Sequence, residues 1–166
     1  MRSEEKTISG SVDPPSRKKG TIEDKDYSRN GAFFVTICTK DRTEFFGKIH
    51  DDQMILSELG TIAEEFANKI EDIYDSVLLD AFILMPNHVH LLIVLLSERN
   101  NPEIQRIINQ YKGAVSKKAG FPLWQNRYHS HVIYSGSEYR RIRRYINTNP
   151  KRWGNDCIKN GHWPNS

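Results

Sequence analysis

The stretch VLLDAFILMPNHVHLLIVLL (77–96) constrains the fold of this chain more than any other. It holds two apolar runs, 77–85 and 88–96, separated by Pro86-Asn87, a pair suited to a tight turn. The runs read as a β-hairpin apolar on both faces, as central strands are when helices cover at least one side. Side chains along a strand alternate between faces, so His88 and His90 point the same way. Two imidazoles so placed suit one divalent ion, with a third ligand from elsewhere, and equally suit a pair of core histidines.

Other elements can be placed around this hairpin. The β-branched and aromatic run AFFVTICTK (32–40) predicts a first strand, with a short strand or turn over 44–49. Ile55, Leu59, Ile62, Phe66 and Ile70 recur at helical spacing and predict one helix over 51–73. A second helix is expected from Asn101 or Pro102 to about Lys118, ended by Gly120-Phe121-Pro122. Residues 128–134 predict a fourth strand. Ser137 is expected to cap a last helix that runs to about Thr148 and stops at Pro150. The order β-α-β-β-α-β-α predicts an α+β fold: a ferredoxin-like split βαβ sandwich, its antiparallel sheet carrying helices on one face, plus an extra C-terminal helix. The polar, Pro14-Pro15-broken start reads as a flexible arm (1–25), followed by one domain (26–153) and a short tail (154–166).

Composition narrows the function classes. The longest apolar run, 91–96, is far too short to cross a bilayer, and the start of the chain has no apolar segment of the signal-peptide kind. Cys38 and Cys157 form no motif, which suits a reducing cytoplasm, and the charge pattern suggests association with the nucleoid. Net charge is only +3, yet residues 104–153 hold eleven Lys or Arg against Glu138 alone, a net +10. Residues 41–99 hold twelve acids against four bases, a net −8. Such an asymmetry marks either a polyanion-binding face or a merely solvated basic surface. The basic half also carries Tyr111, Trp124, Tyr128, Tyr134, Tyr139, Tyr145 and Trp153. Aromatics interleaved with cations suit single-stranded nucleic acid, whose bases stack while its phosphates pair.

The segment EYRRIRRYINTNP (138–150) concentrates these features. Tyr145 and Asn149 are one helical turn apart on one face, among Arg140, Arg141, Arg143 and Arg144, which suit phosphate clamping better than base reading. A phenol with a pKa near 10 is a poor nucleophile unless a neighbouring cation favours its phenolate. Beside a metal-bound phosphate Tyr145 becomes a nucleophile and Asn149 a third ligand; otherwise Tyr145 packs and Asn149 caps the helix. Lys112, Trp124, Gln125 and Arg127 either contact DNA or brace the fourth strand. His129 and His131 form a second His-x-His pair, read as DNA-facing or structural. Tyr111 lacks an Asn partner and weighs less as a nucleophile. A metal hydrolase acting on a small molecule would want a carboxylate base near the histidines, and the only acid on the hairpin is Asp80, of unknown facing.

PNHVHLL, a basic helix, LWQNRYHSHVI and YINTNP, in this order, resemble the REP-associated tyrosine transposases, a branch of the single-tyrosine HUH transposases. The similarity runs from about Tyr27 to Trp153. It implies a ferredoxin-like nuclease core acting on single-stranded or hairpin DNA, with His88 and His90 holding Mg²⁺ or Mn²⁺. It also implies that Tyr145 attacks to give a covalent 5′-phosphotyrosine. In the wider family the position four after the tyrosine is often Gln and contributes to the metal; here it is Asn149. The wider family works as dimers, so the resemblance implies a monomer or a homodimer. Two other functions stay open: a catalytically silent DNA-binding module of this fold, and the small-molecule metal hydrolase.

Overall fold

The computed structural model describes residues 31–96 and 100–155. The expected arm (1–25) and nearly all of the expected tail (154–166) lie outside them. Four strands form one sheet: β1 (Ala32–Cys38), β4 (Val77–Met85), β5 (His88–Leu95) and β6 (His129–Ile133). Their spatial order is β4-β5-β1-β6, and every neighbouring pair is antiparallel. With the intervening helices this is the ferredoxin-like arrangement the sequence predicts. Both helical crossovers skip one strand, which leaves the hairpin strand β5 in the middle beside β1.

The two faces of the sheet are covered differently. Helices α1 (Glu58–Asn68) and α3 (Ile104–Ala119) pack on one face, where Val35, Ile37, Val89, Leu91 and Ile93 meet Ala63, Ala67, Ile107, Ile108 and Val115. Helix α4 (Gly136–Thr148) covers the other, where Phe34, Leu92, Val94 and Ile133 meet Tyr139, Ile142 and Ile146. A strand covered on both sides has no solvent face, so β5 is apolar at every position except its two histidines. By alternation, 89, 91 and 93 build the helical layer, while 88, 90, 92 and 94 face α4.

Three local expectations need correction. The helix predicted over 51–73 begins only at Glu58. Before it, β2 (Gly47–His50) and β3 (Gln53–Leu56) form a separate hairpin. Asp51 and Asp52 make its turn with φ of 48° and 59°, left-handed values that Asp tolerates better than most residues. Ser57 then caps α1, its hydroxyl accepting from Gly60 N–H at 3.0 Å. Gly60 is required there because a Cβ would lie 2.1 Å from the Phe46 carbonyl oxygen. A break at Lys69 separates the short α2 (Ile70–Ile73).

Helix α3 opens at Ile104 rather than at Asn101 or Pro102, and Gly120 ends it in the left-handed conformation (φ 81°). Helix α4 is capped by Ser135, not Ser137. It does not stop at Pro150 but tightens into a 3-10 helix over Asn149–Asn155. Proline is compatible with the start of such a turn, where its missing N–H is not needed. None of the helices in the described residues is long and apolar enough to cross a membrane.

Candidate active site

His88 and His90 stand next to each other on the α4 side of β5, ring centroids 4.7 Å apart. Both are 0% exposed. Each ring is oriented through Nδ1. His88 Nδ1 lies 2.8 Å from Asn87 Oδ1, and His90 Nδ1 lies 2.8 Å from Thr36 Oγ1 on β1, its register partner. An amide oxygen only accepts, so His88 carries its proton on Nδ1, and Nε2 is the basic nitrogen of the ring. The turn that presents Asn87 is held in turn by Thr39, whose N–H and hydroxyl both donate to the Asn87 carbonyl, at 2.9 and 3.0 Å.

Burial keeps both imidazoles neutral. It pushes the pKa of His90 down to about 3 and that of His88 well below the usual histidine value, with charge on His90 and Arg42 lowering His88 further. Neutral imidazole is the form that binds metals.

Helix α4 delivers Tyr145 to this pair. Its hydroxyl lies 3.5 Å from His90 Nε2, and the rings sit 5.3 Å apart, centroid to centroid. Phe34 fixes both, stacked on His90 at 5.1 Å and edge-on to Tyr145 at 6.1 Å. Beyond Tyr145 the 3-10 helix brings the Trp153 ring to 6.0 Å from His88. Asn149 lies in the chain between these two roofing aromatics. It is fully buried, and neither amide atom has a hydrogen-bond partner among the described residues.

The remaining sequence candidates separate into two groups. Arg127, Arg140, Arg141 and Arg144 are exposed, Arg141 lying 3.9 Å from Glu138 Oε1. Arg143 turns inward instead, to an ion pair with Asp80 on β4 at 2.9 Å, a contact too poorly aligned to count as a hydrogen bond. Asp80 is therefore engaged by a cation rather than poised as a base beside the histidines.

Lys112, Trp124 and Gln125 knit α3 to the segment before β6. Lys112 Nζ donates to the Gln125 and Asn126 carbonyls, Trp124 Nε1 donates to the Lys112 carbonyl, and Gln125 N–H donates to that of Cys38. With 6% exposure, Trp124 packs against Phe46 and Tyr111 in the core. Its outer edge, with Gln125 and Asn126, faces Lys40, Asp41 and Arg42 across an open groove of about 720 Å³.

The second histidine pair lies on the same sheet face, His129 opposite Thr36 and His131 opposite Phe34. His131 Nε2 is 2.7 Å from Glu138 Oε1 at the start of α4. Burial raises the Glu138 pKa, but the bond from His131, the Tyr134 N–H and the charges of His131 and Arg141 outweigh it and hold the carboxyl below its usual range. Tyr111 is buried between α3 and α1, donates to the Ala63 carbonyl and has its pKa raised by burial. No group of three His, Cys, Asp or Glu suited to a metal occurs among the described residues, so a third protein ligand at His88 and His90 would have to be of another kind.

Sequence reasoning passed over Thr36, Asn87, Phe34 and Trp153. Only Asn87 carried a local signal, as the neighbour of His88. The other three reach the site through pairing and packing that no short pattern records.

Comparison with known proteins agrees with this geometry. An uncharacterized protein of Haemophilus influenzae is 27% identical over 166 residues, which span 86% of this chain and 92% of that one. A solved REP-associated tyrosine transposase, bound to a REP hairpin, has a similar fold. The TM-score is 0.61 over 76% of this chain and 70% of that one, at 20% identity. Residues 28–149 match the family described as IS200-like transposases. That match covers most of the chain and takes in both histidines and Tyr145, and the protein belongs to the IS200-like transposase family.

Proposed function

We propose that this protein is a metal-dependent endonuclease and strand transferase of the REP-associated branch, nicking single-stranded DNA at hairpin or palindromic repeats through Tyr145. The observation that carries the reading is the 3.5 Å approach of the Tyr145 hydroxyl to His90 Nε2, a nucleophile beside a metal-binding nitrogen. The donor set fits a divalent ion such as Mg²⁺ or Mn²⁺. Two neutral imidazoles are held through Nδ1, and the buried Asn149 amide has no other partner among the described residues. Such an ion, when bound, favours the phenolate and polarises the phosphoryl group.

The chain's own contribution is positional. Phe34 and Thr36 hold His90, Asn87 holds His88, and α4 brings Tyr145 across them, while the exposed Arg140, Arg141 and Arg144 offer charge to flanking phosphates. Tyr145 oxygen bonds to phosphorus as the bond to the 3′ oxygen breaks. The phenol proton passes to solvent and the departing oxygen gains one, leaving a 5′-phosphotyrosine and a free 3′-hydroxyl. The covalent link keeps the bond energy for rejoining.

One observation favours a second reading, a DNA-binding module without cleavage: both histidines are fully covered, so a phosphate meets them only after the roof of Tyr145 and Trp153 shifts. Incubation with hairpin-tailed single-stranded DNA and Mn²⁺, followed by a denaturing gel, separates the two. The nuclease reading expects a protein–DNA adduct that disappears in Tyr145→Phe. An adduct that survives this change removes Tyr145 as nucleophile, and binding without adduct across many hairpins favours the module.

A further inference from the structure

A buried carboxylate sits where strand alternation alone would not put it. On β4, Leu79 packs into the helical layer and Ala81 against α4, and the pairing register with β5 slips between them. Asp80 is the extra residue of this β-bulge, so both it and Ala81 face α4. Bulges re-aim a side chain at the cost of ladder regularity. Here the re-aimed side chain is a carboxylate with 3% exposure, 2.9 Å from the Arg143 guanidinium of α4.

We propose that Asp80 and Arg143 form a positioning latch that sets the axial and rotational register of α4, and with it the placement of Tyr145 over His90 within one chain. The idea rests on Tyr145 being the nucleophile. The apolar stripe of α4, Tyr139, Ile142 and Ile146, supplies adhesion but little register, since a slip of one turn (about 5.4 Å) exchanges one apolar side chain for another. A charge pair has a single solution. Buried ion pairs add little net stability and find their best use in fixing register.

Advancing about 100° per residue places Arg143 and Tyr145 on opposite flanks of that stripe. Any roll of the helix that frees Arg143 therefore moves Tyr145 as well. On the Tyr145 flank the N-terminal end is tied to β6 by His131 and Glu138 at 2.7 Å, so the two polar contacts hold the helix from both sides.

The test uses the full chain and two readouts. In Asp80→Asn, single-turnover adduct formation on hairpin-tailed DNA with Mn²⁺ is expected to fall about 10- to 100-fold, the range expected of a displacement near 1 Å. DNA affinity and Mn²⁺ affinity are expected to stay as in the wild type. Independently of activity, the nuclear Overhauser contact between the His90 imidazole and the Tyr145 ring is expected to weaken. The double variant Asp80→Leu/Arg143→Leu removes both charges together. It is expected to keep its melting temperature yet to cleave as slowly as Asp80→Asn, which a merely stabilising pair would not do. A wild-type rate in the double variant, or an unchanged His90–Tyr145 contact in Asp80→Asn, overturns the latch. If the wild type forms no adduct while that contact still responds to Asp80→Asn, the nucleophile reading falls and the latch stands.

Discussion

The two faces of β5 divide the work of the molecule. Val89, Leu91 and Ile93 look into a dry layer of aliphatic side chains from α1 and α3. One residue away on the same strand, His88 and His90 look at α4 and share their surroundings with Thr36, Tyr145 and the buried Asn149. The first face gains from burying carbon. The second keeps polar groups out of water and offsets the cost with hydrogen bonds to Asn87 and Thr36. A central strand can serve both roles because the helical layer supplies the stability that the other face forgoes.

Substitutions on the two faces should therefore separate cleavage from stability. The largest effect is expected from Tyr145→Phe, which removes only an oxygen: adduct formation should fall about 10³-fold or more, with the melting curve nearly unchanged. Leu91→Ala on the opposite face should do the reverse. It should cost about 2–5 kcal/mol in denaturant unfolding, while the molecules that remain folded cleave at the wild-type rate. If Leu91→Ala slows the folded fraction as strongly as Tyr145→Phe, the division between faces is wrong.

A smaller effect is expected at the shared boundary. Thr36→Val keeps the shape of the side chain and removes the hydroxyl that orients His90. Mn²⁺ affinity should weaken by about 10- to 100-fold, with the fold retained, as measured by calorimetric titration.

The smallest effect is a pH dependence carried by the polar face alone. In the chelator-treated protein the histidines are neutral when folded, His90 with a pKa of about 3, but ordinary, near 6.5, when unfolded. Above pH about 6.5 neither state takes up protons at these sites and they add no slope. Below it the unfolded chain binds protons that the fold refuses, so stability falls as pH drops, until His90 itself protonates in the fold near pH 3. The slope should approach about 1 kcal/mol per pH unit for each histidine. Leu91→Ala should shift the whole curve down without changing this slope, and His90→Gln should flatten it.

Much of this was legible in the sequence because it is local. The strands around Pro86-Asn87, the shared face of His88 and His90, and the one-turn spacing of Tyr145 and Asn149 depend only on backbone periodicity. The β2–β3 hairpin was not legible, because Ile55 falls by coincidence at helical spacing from Leu59 and the turn is made by two aspartates rather than by glycine. The cap of α4 was misassigned between two serines of equal propensity. Glu138 decides it, tied back to His131 and to the Tyr134 N–H. The facing of Asp80 was out of reach for a different reason: a bulge breaks the alternation by which facing is read. Arg143, counted with its neighbours as a phosphate clamp, differs from them only because of that bulge.

The roof over the histidines makes time part of the chemistry. An imidazole with no exposed surface meets nothing from solvent until the chain above it moves. The interval before first encounter is then set by the opening of the Tyr145 and Trp153 segment, a loop-scale or helix-end motion of roughly microseconds to milliseconds, and not by diffusion to an open surface. A transposase so built waits with its most reactive groups sheathed, and its idle state is quiet by construction.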